Sequence, residues 1–267
     1  MSTWFRAAAV VSLLFLLVAA AGCARLPATV DIPARERVAV MARFQDMVAG
    51  QMECPCCIDA EATVSFLSIW QKGSLSGYLQ AMTPSFVKFV GLNPFGQPLA
   101  VFVTDGAFFR FVSVPESREY SGNVAGTTYA RYAPEGFLPE HGFYWLIGRL
   151  YPGEMKIVEV RHDEGKIGYW FSIKYGNGTT SLVLFDDKEG VLRRHIVLDA
   201  DEKRIFNVLY NDYTSGKCPM PGKVTVTSLI HNSTMELRLQ GWLPDASFTG
   251  EDFHYEAPPS FERVVVE

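Results

Sequence analysis

The stretch Ser85-Phe86-Val87-Lys88-Phe89-Val90-Gly91-Leu92-Asn93-Pro94-Phe95-Gly96-Gln97-Pro98-Leu99-Ala100-Val101-Phe102-Val103-Thr104-Asp105-Gly106-Ala107-Phe108-Phe109-Arg110-Phe111-Val112-Ser113-Val114 decides the fold. Three runs rich in β-branched and aromatic residues, Ser85–Leu92, Leu99–Thr104 and Ala107–Val114, are separated by two turn signals. Asp105-Gly106 is a strong two-residue hairpin turn. Asn93-Pro94-Phe95-Gly96 places Asn first, Pro second and Gly fourth, the signature of a type I turn. The segment therefore reads as consecutive antiparallel strands. Phe95 falls at the third position of its turn, where polar residues are the rule. Its ring either folds back onto the domain or protrudes as an apolar finger toward a membrane or a partner. Burying one Phe is worth roughly 1.5–3 kcal/mol, enough for transient contact but not for anchoring.

The same period of two extends outward in both directions. Thr63–Gln71 and Leu75–Met82 precede the stretch. Lys166–Tyr175, Thr180–Phe185, Val191–Leu198, Arg204–Tyr213, Lys223–Ile230 and Thr234–Trp242 follow it, with turns at Gly176-Asn177-Gly178, Asp187-Lys188-Glu189-Gly190 and His231-Asn232-Ser233. Two helices interrupt them. Val38, Met41, Phe44 and Val48 recur at helical spacing between Ala34 and Gly50, predicting one amphipathic helix with a core-facing stripe. Phe143–Leu150 reads as a short helix ended by Tyr151-Pro152-Gly153. Pro115–Gly136 reads as polar and turn-rich. About ten or eleven antiparallel strands result, a mainly β domain over residues 35–248, with no internal repeat of 20–50 residues.

The N-terminus carries an address. Arg6 precedes an apolar run from Ala7 to Ala21, broken only by Ser12 and too short to span a bilayer comfortably. The run ends in small residues and a cysteine, Ala19-Ala20-Ala21-Gly22-Cys23, which resembles a bacterial lipobox. Residues 1–22 are then a lipoprotein signal peptide, and Cys23 becomes the acylated first residue of the mature chain. Ala20 stands where lipoboxes usually carry Leu. The alternatives are an ordinary signal peptide with an incidental cysteine, or an uncleaved anchor. Ala24 follows where inner-membrane lipoproteins often carry Asp, so the implied destination is the outer membrane, facing the periplasm. Residues 23–34, with Pro27 and Pro33, read as a tether, and 249–267 as a loose tail ending in a short strand, Val264–Val266.

Composition narrows the function classes. The chain has 267 residues, a formal net charge of −5 and no basic stripe, which argues against nucleic-acid binding. Aromatic residues make up 13%, Phe the commonest, and favour β structure with a roomy apolar interior. With Cys23 acylated, Cys54, Cys56, Cys57 and Cys218 remain. Paired zinc ligands are usually separated by two residues and joined by a second such pair or by histidines, which this spacing does not provide. At least one structural disulfide is expected between the 54–57 cluster and Cys218, with Cys56 and Cys57 the candidate partners; a redox or metal role is the alternative. His141, His162, His195, His231 and His254 are scattered, and no Gly-x-Ser-x-Gly element occurs. Asp186-Asp187, Asp199 and Asp201 lie in predicted turns, where Asp is favoured for local hydrogen bonding. No catalytic set and no cofactor are expected.

Three motifs, in order, resemble one family. Phe89-Val90-Gly91-Leu92-Asn93-Pro94-Phe95-Gly96 is similar to the strand and Asn-Pro-Leu-Gly loop of LolB, the outer-membrane receptor for lipoproteins. Trp145-Leu146-Ile147-Gly148 with Pro152-Gly153 resembles that family's Trp-Ile-Leu-Gly-Leu-Pro-Gly helix. Pro219-Met220-Pro221, followed by two strands ending in Gly241-Trp242-Leu243, resembles its Met-Pro segment and terminal strands. The order holds over residues 60–245. The cysteine cluster, the long N-terminal helix, the tail after Pro244 and Phe in place of Leu depart from the pattern. The resemblance implies an antiparallel half-open β-barrel with a helical lid, enclosing an apolar cavity for acyl chains. It implies a non-enzymatic receptor that takes acylated lipoproteins from a periplasmic LolA-like carrier and inserts them in the outer membrane. Asn93, Pro94, Phe95 and Gly96 would form the membrane-insertion loop. A lipoprotein of the same fold that binds lipid or a protein partner as an envelope scaffold is the other reading.

Overall fold

The computed structural model describes residues 26–67, 72–126, 129, 142–176, 178–198, 201–228, 233–243 and 246–267. Cys23, His141, Asp199 and His231 lie outside the described residues.

Alternating sequence becomes strand throughout. In chain order the elements are β1 (Thr29–Val30), α1 (Ala34–Gln51), β2 (Cys57–Leu67), β3 (Lys72–Met82), β4 (Phe86–Leu92), β5 (Pro98–Thr104), β6 (Phe108–Ser113), β7 (Arg118–Asn123) and α2 (Gly142–Leu146). There follow β8 (Met155–Asp163), β9 (Tyr169–Tyr175), β10 (Thr180–Asp186), β11 (Val191–Leu198), β12 (Arg204–Tyr213), β13 (Pro221–Ser228), β14 (Ser233–Gln240), a 3-10 turn at Gly250–Phe253 and β15 (Glu262–Val266). The fifteen strands of the described residues belong to one sheet, in the order β1-β8-β9-β10-β11-β12-β13-β14-β2-β3-β4-β5-β6-β7-β15. Two meanders, β8–β14 and β2–β7, are joined where Leu237 of β14 faces Val64 of β2. The sheet does not close: β1 and β15 are its edges.

The strand count exceeds the predicted ten or eleven for local reasons. β7 reads Arg-Glu-Tyr-Ser-Gly-Asn and has no apolar alternation; its Glu119 is buried because it pairs with Arg110 at 3.1 Å. β8 has a register shift between Ile157 and Glu159, which breaks the period of two and leaves Val158 53% exposed. β1 is only two residues long and lies inside the expected tether, paired to Asp163 and His162.

One face of the sheet carries the helices. Val40 and Phe44 of α1 are fully buried there, with Met41, Met47 and Val48 packed beside them. Val38, predicted in the apolar stripe, is instead 70% exposed; Val40 takes its place one turn before Phe44. Phe44 stacks on Phe171 with ring centroids 3.9 Å apart and meets Phe185 edge-on. Phe143, Trp145, Leu146, Ile147 and Leu150, from α2 and the residues after it, complete this core. Fully burying side chains of this kind stabilises the fold by roughly 1.5–3 kcal/mol each.

The expected loose tail is an ordered part of the domain. Phe253 and Ala257 pack on Val101, Val103 and Val112, on the face opposite the helices. The Arg110 guanidinium donates to the Tyr255 carbonyl while also holding Glu119, which fastens this segment to β6 and β7. β15 then pairs parallel to β7, with Val264 opposite Tyr120. The short strand at Val264–Val266 was therefore legible; the packing of the segment before it was not.

Candidate functional site

The Asn93–Gly96 loop lies between β4 and β5 and is organised by Asn93. The Gly96 N–H donates to the Asn93 carbonyl at 2.9 Å, closing the turn predicted from sequence. The Asn93 side-chain oxygen accepts from the N–H groups of Phe95 and Gln97, each at 2.9 Å, and its amide donates to the Gln97 side chain at 3.1 Å. The Asn93 N–H donates to the Gln97 carbonyl. Gly96 has φ +79, a left-handed conformation that glycine adopts without a Cβ penalty. A type I turn followed by a left-handed residue is a common three-residue hairpin connection. Its hydrogen bonds hold Phe95 outward, and the side chain is 88% exposed. Of the two readings of Phe95, the fold-back is excluded in this conformation.

Cross-strand register sets what lies below this loop. On the helix-bearing face, Val64 faces Leu75, Leu79 faces Phe89, Phe89 faces Phe102 and Phe102 faces Phe111. Val64, Leu75, Phe89, Phe102 and Phe111 are half-buried, whereas the same face across β9–β11 is packed under Phe44. An apolar, partly open surface thus runs beneath Phe95. The turn end of the β2–β3 hairpin shares that rim of the sheet, with Phe66 and Leu67 exposed.

The opposite rim holds the cysteines. Cys54 pairs with Cys218, the expected bridge from the 54–57 cluster to Cys218, but Cys54 supplies the sulfur in place of the candidates Cys56 and Cys57. Cys54 sits in the turn that ends α1, its N–H donating to Gln51, and so faces the loop between β12 and β13. Cys57 begins β2 on the face opposite the core residues Ile58 and Ala60, and is buried there beside the Phe248 backbone of the C-terminal segment. Cys56 is an exposed thiol and Cys57 a buried one. Burial pushes the Cys57 thiol up to about 11, and the neighbouring Cys56 adds to the rise. Among the described residues, no group of three or more His, Cys, Asp or Glu side chains could hold a metal ion.

Other predicted positions are placed as follows. Asp186, expected as a solvated turn residue, closes β10 and heads the turn that follows. It is buried, accepts from the N–H groups of Lys188 and Glu189, and pairs with Arg193 at 2.9 Å. Asp187 pairs with Arg43 at 2.8 Å. Trp145, Leu146 and Ile147 of the second motif are core residues, as is Met220 of the third. His195, undistinguished in the sequence, contacts Ser181 Oγ at 2.9 Å, both side chains lying inside the sheet core. The place of His195 inside the apolar, strand-like run Val191–Leu198 is the sequence signal for its burial.

No helix of the described residues is long and apolar enough to cross a membrane. No protein-family model and no curated protein matches the sequence. Solved structures do match. A DUF1329 family protein from Desulfovibrio piger superposes with a TM-score of 0.58 at 9% identity, over 81% of this chain and 97% of that one. A putative outer membrane lipoprotein-sorting protein domain from Vibrio parahaemolyticus gives 0.57 at 10% identity, over 80% and 95%. A LolA superfamily protein from Nitrosomonas europaea gives 0.55 at 6% identity, over 79% and 97%. Fifteen strands in one open sheet, helices on one face and these superpositions together give the chain a LolA/LolB-like fold.

Proposed function

We propose that this protein is a LolB-type receptor: a non-enzymatic lipoprotein, anchored through Cys23 in the outer membrane and facing the periplasm. It takes acylated lipoproteins from a LolA-like carrier and releases them into that membrane. The observation that carries the reading is Phe95, 88% exposed on a hydrogen-bonded hairpin loop above half-buried Phe89, Phe102 and Phe111. A fold likeness alone does not assign a function; an outward aromatic beside an apolar surface supplies a chemical reason for one. Each acyl chain represents on the order of ten kcal/mol of burial at about 0.8 kcal/mol per methylene. Passage through water is prohibitive at that cost, so cargo moves from one apolar surface directly to the next. Phe95 entering the bilayer marks the release point.

The test is Phe95→Glu in cells depleted of the wild-type protein, followed by a census of mislocalised lipoproteins. The expected outcome is a stable variant and accumulation of cargo away from the outer membrane. Normal delivery by the variant refutes the role of Phe95. The packing of Phe44 against Phe171 favours a second reading, an envelope scaffold without cargo sorting, because it fills part of the helix-bearing face. Acyl-chain occupancy after gentle purification separates the two: bound chains support carriage, and an empty protein with a stable partner supports the scaffold.

A further inference from the structure

At the rim opposite Phe95, a cleft of about 450 Å³ opens beside the disulfide, between the end of α1, the residues after α2 and the turns joining β10–β11 and β12–β13. The volume falls in the range of small-ligand sites. Arg149 lines it and is only 5% exposed. Its Nη1 donates to the Pro55 carbonyl at a long 3.4 Å. Among the described residues no carboxylate offsets its charge: the groups that act on it electrostatically are Tyr144 and Tyr213, and burial pulls the guanidinium down to about 10. Burying an unpaired charge is costly, so a guanidinium in this position calls for an explanation.

The other cations at the cleft are already paired or exposed. Arg43 holds Asp187 at 2.8 Å, Lys217 holds Glu53 at 2.6 Å, and Glu189 is taken by Arg193 at 2.6 Å. Asp46 and Lys188 stand at the lining with opposite signs. The backbone that presents Arg149 is fixed on both sides. Gly148 has φ +64, and a Cβ there would run into the Tyr213 hydroxyl, which itself donates to the Leu192 carbonyl at 2.6 Å. The Leu150 N–H donates to the Gln51 side chain at 3.1 Å. A rigid mount, a buried fork of donors and a cleft in front of it are the elements of an anion site.

We propose that this cleft binds a phosphate-sized oxyanion through Arg149. A phospholipid headgroup and free phosphate share this chemistry. The site lies at the other end of the sheet from Phe95 and does not depend on the receptor reading.

The experiment measures thermal unfolding of the full-length protein and its Arg149→Met variant. Each is titrated with inorganic phosphate against chloride at matched ionic strength, and with a short-chain phosphatidylglycerol below its micelle concentration. Phosphate or the lipid is expected to raise the wild-type midpoint. The variant is expected to bind roughly ten- to a hundred-fold more weakly, the loss of a charged hydrogen-bonding partner. It is also expected to unfold at a higher temperature than wild type without ligand, because the unpaired charge is gone. A response to phosphate identifies a free anion as sufficient; a response to the lipid alone identifies the headgroup. If neither ligand moves the wild type, or both proteins respond equally, the proposal is wrong. A variant that unfolds earlier than wild type, or fails to fold, makes Arg149 a structural strut to Pro55 and equally overturns it.

Discussion

Cys218→Ser is expected to destabilise the protein more than most single substitutions. The Cys54–Cys218 bridge spans 164 residues of sequence, and closing so long a loop in the unfolded chain removes chain entropy worth about 5 kcal/mol at 25 °C. For a domain of this size that corresponds to a fall of roughly 10–20 °C in the unfolding midpoint. Cys218 is the informative position because it is the shared partner. In Cys54→Ser, Cys56 lies two residues away and can recapture Cys218, restoring nearly the same loop. The assay is urea and thermal unfolding of Cys218→Ser, Cys54→Ser, Cys56→Ser and the Cys54→Ser/Cys56→Ser double variant, with peptide mapping of the bridges under acid quench. Cys56→Ser should be neutral, and the double variant should fall to the level of Cys218→Ser. A loss below about 1 kcal/mol in Cys218→Ser would refute the entropic argument, and a Cys56–Cys218 bridge in the wild-type map would refute the pairing.

Two further expectations concern buried groups. The Tyr210 hydroxyl is fully buried with no hydrogen-bond partner among the described residues, so Tyr210→Phe should raise stability by about 1 kcal/mol in urea unfolding; a loss instead would reveal a bound water. Stability should also fall in alkali. Burial raises the Cys57 thiol from 9.0 to about 11 and the Tyr169 phenol from 10.0 to about 12, Glu36 adding to the latter. The unfolded chain sheds these protons first, so their contribution is intact below pH 9 and lost as pH rises through the folded values. Unfolding midpoints that stay level from pH 8 to 11 would contradict both assignments.

The hairpins were legible because their turns are chemically distinct. Asp105-Gly106 marks its hairpin, though the loop closes one residue later, over Gly106-Ala107, with the Asp105 side chain accepting from the Ala107 and Phe108 N–H groups; the Asn93 loop forms as read, with Phe95 outward at its tip. Where polar residues are buried in pairs, the pattern fails: Glu119 inside β7 reads as solvent-facing until Arg110 is seen beside it. A bulge hid β8, since one extra residue reverses the faces on either side of it. The cysteine pairing was not readable from spacing, because it depends on α1 ending in a turn and β2 beginning three residues after Cys54. Arg149 gave no sequence signal at all: its isolation exists only once Tyr213, Pro55 and Gln51 surround it.

β1 bears on how far an anchored molecule can reach. For a chain held at Cys23, the six residues to Thr29 extend at most about 20 Å. Thr29 faces Asp163, at the rim opposite Phe95, and β8 alone rises about 30 Å toward the other rim. With β1 paired, the leash is too short for the molecule to stand upright with Phe95 in the bilayer, and it must lie along the membrane. Two residues of pairing are cheap to release. Freeing them lengthens the leash only as far as Ile32, which is held in the core; that is about 30 Å from Cys23, just the height of β8 needed to turn the Phe95 rim downward.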